Sequence, residues 1–170
     1  MSGEKTMSGE KTPNWQGQTS APTRIVLLRH GQTALSVDRR YSGRGNPELT
    51  DLGRGQAAAA GRRIAAGALG SIDAVVSSPL ARTMATAHAA ADSLGLEVRP
   101  FEGLIETDFG AWEGLTFREA AQRDPDLHRS WLGDIDVAPP EGESFARVAD
   151  RVVQARSDLV AEYSGRTVLA

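Results

Sequence analysis

Short apolar runs alternate with longer helical segments from residue 24 onward, and this alternation constrains the fold more than any other feature. The runs at 25–28 and 74–76 are continuous, which is typical of strands buried on both faces of a parallel sheet. An alternating run at 96–101 and a short run at 166–170 predict two more strands. We therefore predict an α/β domain with a mostly parallel central sheet and helices on both faces.

Capping residues indicate where the intervening helices begin. Thr50 is the predicted N-cap of a helix that runs to about residue 68, and a second helix is predicted over 80–94 with a glycine directly after it. Thr116 opens a T-x-x-E capping box, and Ser144 precedes an apolar stripe with helical spacing. These signals place helices between successive strands.

The first 23 residues differ in composition from the rest of the chain. They are poor in large apolar groups and contain a direct duplication, since 1–6 and 7–12 both read MSGEKT. A segment of this kind cannot bury enough apolar surface to offset the entropy lost on ordering. We therefore interpret residues 1–23 as a disordered leader or linker and predict one domain over 24–170.

The composition of the 170 residues excludes several classes of protein. A formal net charge of −3 argues against proteins that neutralise many phosphates, so we expect no nucleic-acid partner. The chain has no cysteine, which excludes a disulfide scaffold and a thiolate metal site, and with three histidines we expect neither a metal nor a cofactor. No apolar run approaches the ~18 residues of a membrane span, so we expect no membrane partner and a cytoplasmic location. The oligomeric state stays open.

The first apolar run stops abruptly at the triplet Arg29-His30-Gly31. In open α/β sheets, ligands bind beyond the carboxyl ends of the strands. Gly31 lets the backbone approach a ligand closely, and the planar fork of Arg29 suits phosphate. A neutral imidazole beside such an arginine can accept a phosphoryl group. The alternative is a structural histidine at a strand end with a solvated arginine beside it.

Two further segments follow predicted strand ends. Arg82 falls in the first turn of the helix after the second strand, where free N–H groups and a guanidinium can form an anion site. On its own, an arginine there is more often a surface residue. A carboxylate in the loop at 104–114 can act as a general acid if burial near Phe109 and Trp112 raises its pKa; otherwise it is an exposed loop acid.

Five segments, in this order, resemble the motifs of the histidine phosphatase superfamily, which includes cofactor-dependent phosphoglycerate mutases and many small phosphatases. They read LLRHGQT, YSGRGNPELTDLG, VVSSPLARTMATA, LIETDFGAWEG and PPEGES. The chain resembles in particular the phosphatase module of actinobacterial proteins that fuse a ribonuclease H domain to an acid phosphatase, and it has no room for the ribonuclease. The resemblance implies a phosphoglycerate mutase-like fold.

The resemblance also implies catalytic roles for four residues. His30 matches the nucleophile that becomes a phosphohistidine. Arg29 and Arg82 match the arginines that hold the phosphoryl oxygens, and Glu106 matches the proton donor to the leaving alcohol.

Other positions of the family's pocket match less completely. Ser42 and Gly43 match the loop that lines the pocket mouth, and Ser36 stands where the family often has a phosphate-binding asparagine. The second pocket histidine of the family follows a strand that resembles 166–170. We therefore expect a C-terminally incomplete domain that lacks this histidine and the last strand or strands of the sheet.

These implications predict a metal-independent phosphomonoesterase that acts on a small phosphorylated substrate through His30. A mutase of the same family is an alternative, disfavoured because 114–139 contains no lysine and no adjacent arginine pair to hold a substrate carboxylate. A non-catalytic phosphate-binding module is a second alternative, because the second pocket histidine is absent.

Overall fold

One four-stranded sheet lies at the centre of the protein in the computed structural model, which describes residues 21–170. Its strands are β1 (Arg24–Val26), β2 (Ala74–Ser77), β3 (Val98–Pro100) and β4 (Thr167–Leu169). Neighbouring strands are all parallel, and their order across the sheet is β1-β4-β2-β3. The prediction of an α/β fold with a parallel sheet is confirmed.

Within residues 21–170, six helices connect the strands or extend from them. They are α1 (Ala34–Val37), α2 (Asp51–Ala65), α3 (Ala81–Leu94), α4 (Phe117–Arg123), α5 (Pro125–Gly133) and α6 (Phe145–Glu162), with single 3-10 turns at Glu102–Leu104 and Gly110–Trp112.

The predicted helix caps form as expected. The hydroxyls of Thr50, Thr116 and Ser144 each accept a hydrogen bond from the backbone N–H three residues later. Gly95 adopts the left-handed conformation directly after α3, with φ of 67°. Helix α2 ends at Ala65, earlier than predicted, and Gly67 follows with φ of 83°.

Helices cover both faces of the two inner strands, as predicted. Side chains of successive strand residues point to opposite faces, so Val75 and Leu169 pack with residues of α2 and α3. Val76 and Val168 pack on the other face with Leu159 of α6.

The prediction that the first strand is buried on both faces is met only in part, since Ile25 and Val26 of β1 pack with the clusters on opposite faces of the sheet but are only half-buried. Among residues 21–170, β1 pairs only with β4 and therefore lies at an edge of the sheet. Leu27, which directly follows β1, is 79% exposed. The central position beside β2 is occupied by β4 rather than by β1.

An aromatic cluster, formed by Tyr41, Phe109, Trp112, His128 and Trp131, packs α4 and α5 against the loops beyond the strand ends. The Tyr41 hydroxyl lies 3.0 Å from Nε2 of His128, and the indole N–H of Trp112 donates to Asp124 at 2.7 Å. This cluster fixes where the loops around residues 42–45 and 106–114 sit.

Most of the predicted leader, residues 1–20, lies outside the described residues. Its last residue, Thr23, contacts the domain: the hydroxyl donates to the carbonyl of Tyr163 and accepts from the N–H of Gly165. None of the helices within residues 21–170 combines the length and apolar character needed to cross a membrane.

Candidate active site

The predicted catalytic residues come together at the carboxyl ends of the parallel strands. Arg29 and His30 follow β1, Arg82 lies in the first turn of α3 after β2, and Glu106 follows β3. The charges of all three partners act on the His30 imidazole. The structure thus brings these predicted residues to one end of the sheet, although they are up to 77 positions apart along the chain.

The His30 imidazole is oriented by the backbone beside it. Its Nδ1 lies 2.7 Å from the carbonyl oxygen of Gly31. Because a carbonyl can only accept a hydrogen bond, this contact assigns the proton of the neutral ring to Nδ1. The lone pair then lies on Nε2, which is the ring atom free to act as a nucleophile.

The surroundings of His30 favour its neutral form. Burial lowers the pKa of the imidazole below its ordinary value of 6.5, although the hydrogen bond to Gly31 opposes this effect. The positive charges of Arg82 and Arg29 lower the pKa further, and the charge of Glu106 raises it. The neutral ring required of a nucleophile is thus the preferred state at neutral pH.

Gly31 is required at its position by close packing. A Cβ there would lie 2.3 Å from the carbonyl oxygen of Gly53 in the first turn of α2. The Gly31 N–H donates to the Thr86 hydroxyl at 3.1 Å, and that hydroxyl donates to the carbonyl of Arg82 at 2.8 Å. The loop that carries His30 is therefore fixed to both α2 and α3.

Arg82 is buried, with 1% of its surface exposed, so the interpretation of an isolated surface arginine is wrong. Its guanidinium donates to the carbonyls of Gly45 at 3.0 Å, Ser42 at 3.2 Å and Gly43 at 2.8 Å. The buried Nε has no partner in the part of the chain that the structure describes. Burial lowers the pKa of Arg82, and the charges of Glu106 and Glu113 oppose this effect.

Arg29 and Glu106 are both exposed. The condition stated for a buried general acid, burial of Glu106 near Phe109 and Trp112, is not met, because those two rings pack into the aromatic cluster instead. One carboxylate oxygen of Glu106 accepts from the N–H of Thr107 at 2.8 Å.

The three predicted pocket residues occupy different surroundings. Ser36 lines a cavity of about 290 Å³ together with Arg29 and His30. Its hydroxyl accepts from the N–H of Thr33 in the capping box of α1 and also donates to the Thr33 carbonyl. The Ser42 hydroxyl is buried and has no partner within the described residues. Gly43 approaches the Glu106 loop closely, since a Cβ would lie 2.0 Å from the Thr107 carbonyl oxygen.

The other two histidines lie elsewhere. His88 is exposed on α3, whereas His128 is 2% exposed and belongs to the aromatic cluster. Among residues 21–170, no group of three or more acidic or histidine side chains is arranged to hold a metal ion.

Sequence reasoning assigned no role to Glu113, whose carboxylate accepts hydrogen bonds from the N–H groups of Gly43 and Gly45. The sequence does not indicate this contact. Its donors are backbone N–H groups, which almost every residue type has, so the glycines of S-G-R-G cannot be matched to the glutamate of W-E-G from residue types.

Comparison with known proteins places these motifs in a family. Residues 25–170 match the histidine phosphatase superfamily (branch 1). A bifunctional protein of Mycobacterium tuberculosis is 55% identical over 158 residues, which cover 93% of this chain and 43% of that protein. A glucosyl-3-phosphoglycerate phosphatase of the same organism is 40% identical over 140 residues, covering 81% of this chain and 60% of the enzyme.

A solved structure agrees with the fold. The mycobacterial glucosyl-3-phosphoglycerate phosphatase in complex with VO3 superimposes with a TM-score of 0.75 at 37% identity, covering 86% of this chain and 73% of that one. The chain spans 43 to 60% of the length of the two curated relatives described above.

Proposed function

Because the chain belongs to the histidine phosphatase superfamily (branch 1), we propose that it hydrolyses a phosphomonoester of a small substrate through a phosphohistidine on His30. One observation carries the proposal: a neutral imidazole with its Nε2 lone pair free stands beside the buried cation Arg82, whose Nε–H is unpaired within the described residues. This arrangement combines a nucleophile with a preorganised site for phosphoryl charge.

The first chemical step transfers the phosphoryl group to the protein. Nε2 of His30 attacks phosphorus, so that an N–P bond forms while the bond from phosphorus to the ester oxygen breaks. Glu106, which matches the family's proton donor, gives a proton from its carboxylic acid form to the departing oxygen, which leaves as an alcohol.

The second step regenerates the histidine. The Glu106 carboxylate takes a proton from a water molecule, the water oxygen attacks phosphorus, and the N–P bond breaks to release inorganic phosphate. Exposure of Glu106 to solvent supports this exchange of a proton with water.

Two arginines supply the electrostatic stabilisation in this scheme. Arg82 and Arg29 neutralise the charge on the phosphoryl oxygens, which is the contribution a divalent metal makes in other phosphatases. We therefore propose a metal-independent reaction.

Arg123 on α4 and Arg129 on α5 favour a phosphatase over a mutase. Arg123 donates to the Ala111 carbonyl and lies 3.7 Å from Asp124, and Arg129 pairs with Asp126 at 2.9 Å. These two arginines already have partners, so they do not form a free site for the carboxylate of a glycerate substrate.

Release of phosphate from p-nitrophenyl phosphate tests the proposal. We expect the native chain to hydrolyse this ester and His30→Ala to abolish hydrolysis, whereas His88→Ala, an exposed control on α3, retains it. Hydrolysis that persists in His30→Ala would contradict the proposal. Vanadate binding without any hydrolysis by the native chain would instead favour a phosphate-binding module.

A further inference from the structure

The orientation of Arg82 depends on one irregular loop. Within the described residues, the guanidinium donates three hydrogen bonds, and all three go to backbone carbonyls of residues 42–45. The same loop region reaches α3 again through Asn46, whose side chain accepts from the N–H of Ala81 at 2.7 Å. Whatever fixes the backbone of residues 42–45 therefore also fixes the direction of Arg82.

The other side of this loop is bound by one carboxylate. Glu113 accepts from the N–H of Gly43 at 2.9 and 3.0 Å and from the N–H of Gly45 at 3.2 Å. The loop backbone thus lies between an anion on its N–H side and a cation on its carbonyl side. Hydrogen bonds with a charged partner are stronger than neutral ones, so both charges hold the same backbone conformation.

The two glycines permit this contact. A Cβ at residue 45 would lie 2.6 Å from one Glu113 oxygen, and a Cβ at residue 43 would lie 3.0 Å from the other. Any side chain at residue 45 would therefore displace the carboxylate.

The position of Glu113 is itself fixed. It follows Trp112, which is fully buried and bonded to Asp124. The Glu113 N–H donates to the Gly110 carbonyl at 3.1 Å, and the N–H of Gly114 donates to the Tyr41 carbonyl at 2.9 Å. The backbone of Glu113 is thus held in place by its hydrogen bonds and by the buried ring of Trp112 beside it.

We propose that Glu113 is a positioning residue that acts through Arg82: its carboxylate holds the backbone of residues 42–45, whose carbonyls hold the guanidinium in place near His30. This inference rests on the proposed function in one respect, the binding of phosphate by Arg82. Glu113 itself does not touch the phosphoryl group.

Glu113→Gln is the most direct variant, because it preserves the shape of the side chain. An amide offers a single oxygen, and its NH2 group cannot accept from a backbone N–H. We expect the affinity for orthovanadate, measured by calorimetry on the full 170-residue chain, to fall about tenfold, the scale of one hydrogen bond to a charged group. Glu119→Gln is the matched control, since that carboxylate also accepts from a backbone N–H, that of Thr116, and we expect it to keep the native affinity.

A double-mutant cycle separates positioning from a general structural role. If Glu113 acts through Arg82, then Glu113→Gln has little further effect on vanadate affinity in an Arg82→Lys background. Gly45→Ala displaces the carboxylate without removing its charge, and we expect it to lower the affinity as Glu113→Gln does, which provides a second route if Glu113→Gln does not fold.

Native affinity in Glu113→Gln, or losses that simply add in the cycle, would overturn the inference and leave the proposed function intact. Failure of the native chain to bind vanadate at all would overturn the proposed function itself, and the positioning role with it.

Discussion

Arg29 and Arg82 are both proposed to bind the phosphoryl group through a positive charge, yet their side chains have opposite surroundings. Arg29 is exposed after β1, whereas Arg82 is 1% exposed and bonded to three loop carbonyls. The rotamer of Arg82 is thus fixed before a substrate arrives. Arg29 must still be ordered on binding, which costs up to about 1.5–2 kcal/mol of side-chain entropy for an arginine.

We infer from this difference that Arg82 stabilises the fold in addition to its proposed role in phosphate binding, whereas Arg29 has only the proposed binding role. Removing a buried donor leaves its acceptors without partners, whereas removing an exposed side chain has little effect on stability. Substitutions of the two arginines should therefore separate stability from phosphate binding.

Arg82→Ala should have the largest effect. It leaves one buried and two partly buried carbonyls of residues 42–45 without this donor, so we expect the free energy of unfolding to fall by about 1–3 kcal/mol. Orthovanadate binding should be lost at the same time. Urea denaturation measures the free energy of unfolding, and calorimetry measures vanadate binding. An unchanged free energy of unfolding in this variant would contradict the inferred structural role of Arg82.

Arg29→Ala should affect binding alone. We expect vanadate affinity to fall by about 1.5–3 kcal/mol, the value of a hydrogen bond to a charged group, with the free energy of unfolding unchanged within about 0.5 kcal/mol. The same two measurements apply. Destabilisation equal to that of Arg82→Ala would show that the two arginines do not differ in the way proposed.

The pKa of His30 should respond differently to loss of each arginine. Both cations lower this pKa, Arg82 more than Arg29. Each alanine variant should therefore raise the pKa of the imidazole toward 6.5, with the larger rise in Arg82→Ala, as followed by NMR titration of the ring.

His128 is the internal control for that titration, because burial alone lowers its pKa. Its titration should be the same in both arginine variants. A pKa of His30 that is unchanged in both would contradict the arrangement of charges around the ring.

Removal of divalent metal should have no effect on the rate of hydrolysis. Since the two arginines supply the positive charge, hydrolysis of p-nitrophenyl phosphate should be equal with and without EDTA. Loss of most activity in EDTA, with recovery on addition of Mg²⁺ or Zn²⁺, would show that the arginines are insufficient.

Signals between neighbouring residues made much of the fold predictable. The hydroxyls of Thr50, Thr116 and Ser144 cap their helices as the sequence indicates, because a cap is a contact over three residues. The position of His30 after β1 was predictable for the same reason, since a short apolar run and the triplet after it are adjacent.

Contacts between distant segments were not predictable in this way. The edge position of β1 follows from β4 entering the sheet beside β2, and a single strand does not reveal the strand order. The burial of Arg82 depends on carbonyls about 40 residues away that have no side-chain signature. The exposure of Glu106 likewise results from Phe109 and Trp112 packing with rings from other segments.

Identification of the phosphorylated residue tests the central claim most directly. The native chain is mixed with p-nitrophenyl phosphate, quenched in alkali to preserve phosphohistidine, digested and analysed by mass spectrometry. We predict one phosphorylated histidine, His30, in the peptide that contains LLRHGQT, and no phosphopeptide from His30→Ala. Phosphate on His88 or His128, or full hydrolysis with no phosphohistidine on His30, would contradict the account.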